Sequence, residues 1–539
     1  MEKSKKLTVK CIKLNNLAIG ECITSSKKMM GVKNILPNEE GLVETSFERN
    51  TLKTKLITIT NPSKDRVKVN CPIYDKCGSC QLLHMNYNSQ IEFKKSLVLD
   101  CFKKERIPFK IDEVITADKK TEYRNKLQVA FKQVNGKVVC GFYEEGSHRI
   151  IPLTNCLVHS QNQMKVVETV KNLIIKMKIA PYDEDRRTGH IRFLLIREAF
   201  VNKEMLVTIV TNSEVFPGRS EFIKKLTAEC PYITTIVQNI NNRKTSIILG
   251  DNEKVLYGKG YIEEYLCGIK FKLSSKSFFQ INQAQTEKLY NKVKEFGDFK
   301  GTETIIDAYC GVGTIGITLA SSVKEVLGVE NNKQAYYNAI SNAKDNKIKN
   351  VHFVNADATE FIEGFAKENI KIDALIMDPP RTGSTEKFIS TVCNLKPKKV
   401  VYVSCEPSSL ARDLKILKEQ YDVVKIQPVD MFPHTHHVET VTLLQRKDID
   451  DRLKVRFDLE NLPLVKEETK ATYQEIKDYI YNKYNVKVST LNIAQTKTKY
   501  GIIERECYNK PKDDDSRQPK CTREKEEMII DALKHFKML

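Results

Sequence analysis

The chain has 539 residues, a formal net charge of +19 and an isoelectric point near 9.1; this length predicts roughly three or four domains, and the charge points to a polyanionic partner, nucleic acid first. No apolar run approaches the eighteen or so residues of a membrane span, and the start MEKSKKLTVK lacks the apolar stretch of a signal peptide, so a cytoplasmic protein without membrane contact is expected. Fifteen cysteines in a reducing compartment are read as metal ligands or catalysts before disulfides.

Residues 1–70 carry 14 Lys and Arg against 7 Asp and Glu, while 448–539 carry 19 against 18, so the basic excess is not a tail effect. Segments Leu7–Lys13, Gly41–Phe47 and Lys55–Thr60 alternate strand-like residues with Gly, Asn, Pro and Lys punctuation. That pattern predicts a small β-barrel over 1–64, and its basic character suits an RNA clamp or an ordinary solvated module.

Cys71, Cys77 and Cys80 follow within ten residues, with Gly78 allowing a tight turn that lets Cys77 and Cys80 converge. Cys156, in a loop after Pro152, is the best fourth ligand; Cys101 and Cys140 are weaker ones. Four thiolates suit a tetrahedral zinc or an iron–sulfur cluster, and spacing leaves both open. The rest of 65–270 reads as a mixed α+β domain, mostly strand-like, with helices near Gln161–Met177 and Ser220–Cys230. Arg124 and Arg192, beside aromatic residues, are expected to contact RNA.

From 271 to 447 strands and helices alternate. Thr304–Ala308, Glu325–Val329, Val351–Asn355, Asp373–Met377, Lys399–Val403, Val423–Pro428 and Thr440–Leu444 predict a seven-stranded, doubly wound, Rossmann-like sheet of α/β class. After the first strand, Gly311 and Gly313 allow a ligand close to the backbone at a helix amino terminus, as in dinucleotide sites. Glu330 ends the second strand nineteen residues past Gly311, where a carboxylate can accept both ribose hydroxyls, and Asp378-Pro379-Pro380-Arg381 ends the fourth. Together these favour S-adenosylmethionine.

Val400–Val403 reads as a buried strand that stops at Ser404-Cys405-Glu406-Pro407, with a helix following on the Leu410, Leu414, Leu417 spacing. Cys405 therefore sits at a strand's carboxyl end before a helix amino terminus, where partial positive charge favours a thiolate. Alone it reads more readily as a buried thiol of small hydrophobic character. Carbon 5 of uracil becomes nucleophilic only after a thiolate adds at carbon 6, and a base must later remove the carbon 5 proton. Glu439, leading into the last strand, is the expected base. The neighbouring His434, His436 and His437 lack a convincing zinc spacing.

Tyr402 to Asp413 around Cys405, Asp430 to Glu439, Ser277-Phe278-Phe279-Gln280-Ile281-Asn282 and the Cys71, Cys77, Cys80, Cys156 set resemble the RNA uracil-5-methyltransferases, in the 23S ribosomal RNA branch that carries a [4Fe-4S] cluster. The resemblance covers about 1–447. It implies an N-terminal TRAM barrel of OB-like type gripping RNA, a cluster held by those four cysteines, and methylation of uracil carbon 5 in 23S RNA. It also implies cofactor contacts at Gln280, Tyr309, Glu330 and Asp378, with Cys405 as nucleophile, Glu439 as base and a flipped-out uridine. Glu406 stands where the family usually has Asn, and His436 where it has Gly. A monomer is expected. An inactive RNA-binding scaffold is the alternative, but it would not need Cys405, Glu439 and the cofactor crevice together. Residues 448–539 lie outside the resemblance; helices are expected at Ala471–Tyr484 and Arg523–Phe536, a second element at Val488–Tyr500 and a linker at Lys510–Lys520, forming a small RNA module or a packing add-on.

Overall fold

The computed structural model describes residues 4–48, 51–107, 110–144, 147–245, 247–447, 471–500, 521–536 and 538–539; the expected linker at 510–520 lies outside them. The chain divides into two compact units, Met1–Leu453 and Lys454–Leu539.

The first unit begins with five antiparallel strands, Lys5–Leu14, Gly20–Thr24, Met29–Val32, Glu40–Glu48 and Thr51–Asn61, ordered third, second, first, fourth, fifth. Val9, Cys11, Cys22, Val32, Ile35 and Val43 fill its concave side. A Cβ on Gly20 would collide with Ile35 and Cys11, so glycine there permits the tight curl. The outer strands meet through Thr54 Oγ1, which donates to Gly31 O at 2.6 Å. Among the described residues no backbone ladder joins them, so the module is a curled sheet and the expected closed barrel is not seen. Buried Glu39 ties it to the following chain, accepting from Arg66 Nε at 2.5 Å and from the Leu36 and Ser63 amides at 2.7 and 3.1 Å.

A seven-stranded mixed sheet follows, built from Lys126–Val134, Lys137–Tyr143, Ile150–Pro152, Ile191–Glu198, Met205–Thr211, Ile233–Ile240 and Asn252–Tyr257. Helices Gln161–Lys176 and Arg219–Glu229 bury Val166, Val170, Ile174, Phe222 and Leu226 in its core. Strand Ile191–Glu198 is buried on both faces, which overturns the RNA role expected for Arg192. Arg192 is 2% exposed, bonds Glu184 at 2.8 Å and lies over the Tyr182 ring at 4.7 Å.

The last sheet of this unit has the strands Thr304–Ala308, Glu325–Glu330, Val351–Asn355, Ala374–Met377, Lys399–Ser404, Tyr421–Val429 and Glu439–Arg446, ordered 3-2-1-4-5-7-6. The first five run parallel and only the seventh is antiparallel to its neighbours. This is a Rossmann-like methyltransferase sheet, and every expected strand is present within two residues at either end. Helix Tyr87–Lys104 packs on helix Pro407–Leu417, and Ile111 and Ile115 bridge to Ile426 and Val429, so chain from before the central sheet is built into this one.

In the second unit, helices Tyr473–Tyr484, Thr490–Lys499 and Arg523–His535 enclose Ile476, Ile480, Ile493, Ile529 and Leu533. Thr472 and Glu475 form a capping box on the first of these helices.

Candidate active site

The fifth strand ends at Ser404, whose hydroxyl accepts the Glu406 amide at 3.2 Å and fixes the turn. The Glu406 carboxylate caps helix Pro407–Leu417, accepting from Ser408 Oγ at 2.8 Å and Ser408 N at 3.4 Å. This accounts for the departure from Asn: either side chain can accept at a helix amino terminus. Half-buried Cys405 lies between strand and cap. Because the seventh strand pairs antiparallel with the fifth and Ser404 faces Thr440, extending the ladder one residue sets Glu439 beside Cys405. Glu439 is 6% exposed, not the solvent-facing strand-end carboxylate that the sequence alone would allow.

Burial pushes the Glu439 carboxyl up to about 8, with the Asp378 charge adding and Arg381 and Lys94 opposing. Burial likewise pushes the Cys405 thiol up to about 12, reinforced by Glu439 and Asp378 and opposed by Arg381. The thiolate expected from the helix terminus is therefore not the resting form, since burial, reinforced by the two carboxylates, favours the neutral thiol. Arg381 Nη2 lies 3.4 Å from His437 Nε2, and burial holds His437 down to about 3, hence neutral.

Next to this pair lies the cofactor crevice. Tyr309 adopts a left-handed φ of 63° and shares a 3.1 Å hydrogen bond with Ser384 Oγ. Gly311, at φ 57°, has open space where a Cβ would stand, so a ligand can lie against its backbone. Glu330 accepts the Gly311 amide at 2.9 Å and the Asn332 amide at 2.6 Å. Asp307 Oδ2 accepts the Gly316 amide at 2.8 Å, and its Oδ1 is buried with no hydrogen-bond partner among the described residues. Burial pushes Asp307 and Asp378 both up to about 7. Gln280, whose carbonyl accepts from Asn125 Nδ2 at 2.9 Å, precedes helix Gln283–Gly297. That helix joins the glycine loop through Tyr290 and Thr314 at 2.7 Å. An open glycine turn beside a ribose-compatible carboxylate and an orphaned buried oxygen fits the nucleoside cofactor expected from the sequence.

Sequence reasoning missed what holds the Glu439 loop. Lys94, fully buried, donates to Asp430 Oδ1 at 2.5 Å and Phe432 O at 3.0 Å, and Tyr87 donates to Asp430 Oδ2 at 2.7 Å. The amides of Gln81 and Leu82 both donate to His434 O at 3.0 Å, Gln90 Oε1 accepts the His434 amide at 3.0 Å, and Tyr123 donates to Pro433 O at 3.1 Å. A single lysine in an amphipathic helix carries no signal for a partner 336 residues away.

The cluster expected at Cys71, Cys77, Cys80 and Cys156 is corrected by the structure. Burial and the other three thiols push Cys80 up to about 12, so the four sulfurs share a region. Yet Cys77 bonds Ser79 Oγ at 3.3 Å and Cys156 bonds His159 Nδ1 at 3.2 Å. Among the described residues no group of three or more His, Cys, Asp or Glu is arranged to hold a metal ion, so neither the [4Fe-4S] cluster nor a zinc is supported. The segment instead buttresses the Glu439 loop through Gln81 and Leu82.

Residues 86–447 match the family model described as tRNA (uracil-5-)-methyltransferase. The chain belongs to this family. Membership in the tRNA (uracil-5-)-methyltransferase family replaces the 23S ribosomal RNA branch inferred from the motifs, and the expected 23S-type activity and partner go with it. Relatives described as uncharacterized RNA methyltransferases include one from Clostridium tetani, 40% identical over 76% of this chain and 90% of that protein. Another, from Staphylococcus epidermidis, is 39% identical over 81% of this chain and 99% of that protein. The crystal structure of Pyrococcus abyssi tRNA (uracil-54, C5)-methyltransferase in complex with S-adenosyl-L-homocysteine superposes with a TM-score of 0.67 at 28% identity, covering 81% of this chain and all of that one. Among the described residues no helix is long and apolar enough to cross a membrane.

Proposed function

We propose that this chain methylates carbon 5 of a uridine in transfer RNA in the cytoplasm, with the uridine at position 54 as first candidate because the Pyrococcus abyssi structure is that of a uracil-54 enzyme. The observation that carries the reading is the pairing of Cys405 with buried Glu439 at adjacent strand ends. When bound, S-adenosylmethionine would supply an electrophilic methyl group, with Gln280, Tyr309, Glu330 and Asp378 lining its place.

Cys405 adds to carbon 6 of the uracil, and its thiol proton passes to the Asp378 carboxylate as the sulfur–carbon bond forms, which leaves Glu439 free to act as base. After methylation Glu439, as carboxylate, takes the proton from carbon 5, and the electron pair released expels the Cys405 thiolate. Raised to about 8, Glu439 is in its ionised form a stronger base than an ordinary carboxylate, which suits the abstracting role. The curled N-terminal sheet holds the RNA in this reading.

A tRNA transcript carrying 5-fluorouridine tests it, because fluorine cannot leave carbon 5 as a proton does. A cofactor-dependent covalent adduct with the wild type, absent in Cys405→Ala, is expected. No adduct, or an adduct that persists in Cys405→Ala, overturns the mechanism; methylation of other RNA but not tRNA overturns the substrate.

A further inference from the structure

The turn between the first two strands of the N-terminal sheet is built around Asn15. Its Oδ1 accepts the amides of Leu17 at 2.9 Å and Ile19 at 3.0 Å, and its carbonyl accepts the Ala18 amide at 3.0 Å. Ala18 adopts a left-handed φ of 57° and is buried with Leu36, Leu82 and Met85. The turn is thus pinned from beneath, while Leu17 at its tip stays 50% exposed. Asn16 and Leu17 line the same cavity as Cys405, Glu406, His436 and His437. A half-exposed leucine is ordinary on a protein surface; what sets Leu17 apart is a rigid turn that holds it on the lining of the cavity that contains Cys405.

The proposed reaction supplies a reason. Uracil presents carbon 6 to a thiol only after leaving its stack, and unstacking costs a few kcal/mol. Proteins offset this cost with apolar side chains driven into the vacated step. We propose that Leu17 is such a wedge: as the uridine enters the Cys405 cavity, Leu17 fills the gap its base leaves and holds the nucleotide out. The inference rests on the RNA methylation reading and deepens it, adding a positioning residue outside the 86–447 family region. A lysine at the tip would bind phosphate whether or not the base is stacked; a leucine gains only where a stack has opened.

The test uses the full chain with two RNAs carrying the same uridine, a folded tRNA transcript and a short single-stranded oligonucleotide, each with 2-aminopurine beside that uridine. Leu17→Ala is expected to lower kcat/KM on the folded RNA about tenfold, to change it less than about twofold on the single strand, and to abolish most of the fluorescence rise on binding. Leu17→Met should keep both activities. If Leu17→Ala matches the wild type on folded RNA, or loses equally on both RNAs, the wedge is overturned while the reaction stands. If the wild type methylates neither RNA, the reaction falls and the wedge with it.

Discussion

Replacing Glu439 with Gln should make the protein more stable at alkaline pH while inactivating it. A carboxyl that holds its proton more tightly in the folded state stabilises fully below its unfolded value, and that contribution is lost as pH rises to its folded value, here about 8. At about 1.4 kcal/mol per decade of pH, ionising Glu439 from the ordinary carboxylate range to about 8 destabilises by roughly 4–5 kcal/mol. The Gln amide has its own polar atoms to bury, at roughly 1–3 kcal/mol. Glu439→Gln should therefore exceed the wild type by about 1–4 kcal/mol at pH 9 and lose that advantage near pH 5. Asp378, itself pushed up to about 7, remains in the variant, so the variant keeps a shallower decline in the same window. Urea unfolding followed by circular dichroism suits a chain without tryptophan. A wild-type-minus-variant difference that does not change between pH 5 and 9 would refute the reasoning. Turnover of the variant should fall by about 100-fold or more.

Burial and its neighbours make Cys405 slow to react in the free protein: iodoacetamide should modify it more slowly than an exposed thiol at pH 9, and Glu439→Gln, by removing a carboxylate charge present above about 8, should speed modification at that pH, as peptide mapping would read. Lys94→Met strands Asp430 in a site with no solvent, so a loss of about 3–5 kcal/mol is expected, and Lys94→Met with Asp430→Leu should recover much of it; equal stability of the two variants in urea would contradict a buried pair. Glu330→Ala frees the Gly311 and Asn332 amides and should weaken S-adenosylhomocysteine about tenfold or more by calorimetry, with little change in RNA affinity.

The α/β sheet was legible because its strands are short β-branched runs, such as Val400–Val403, and because Tyr309, Glu330 and Asp378, the residues proposed for the cofactor, fall at strand ends, where doubly wound sheets place ligands. Glu439 was expected as a base, but its burial was not legible, since burial comes from the sheet's last pairing and from the loop above it. The direction of the Cys405 shift was not legible: the helix amino terminus is local in sequence, whereas Glu439 and Asp378 arrive from two other strands. Four cysteines at suggestive spacing showed convergence but not coordination, which depends on where each sulfur finds its nearest partner. Arg192 looked available beside aromatic and basic residues, yet its strand lies in the middle of a sheet covered on both faces. The motifs around Cys405 and Glu439 report the chemistry, not the RNA, so they pointed to the wrong branch.

The ladder that sets Thr440 against Ser404 also ties competence to folding. A shift of one residue between these two strands would turn every side chain of the last strand to the other face. Glu439 would leave Cys405, and Val441, two residues on and on the same face, would leave its core cluster together with it. A mispaired chain would thus retain the thiol but no base, able to capture a uracil without completing turnover. The hydrophobic pattern of the final strand consequently guards RNA against a half-working enzyme: the forces that select its native partner also select the only register in which the product can be released.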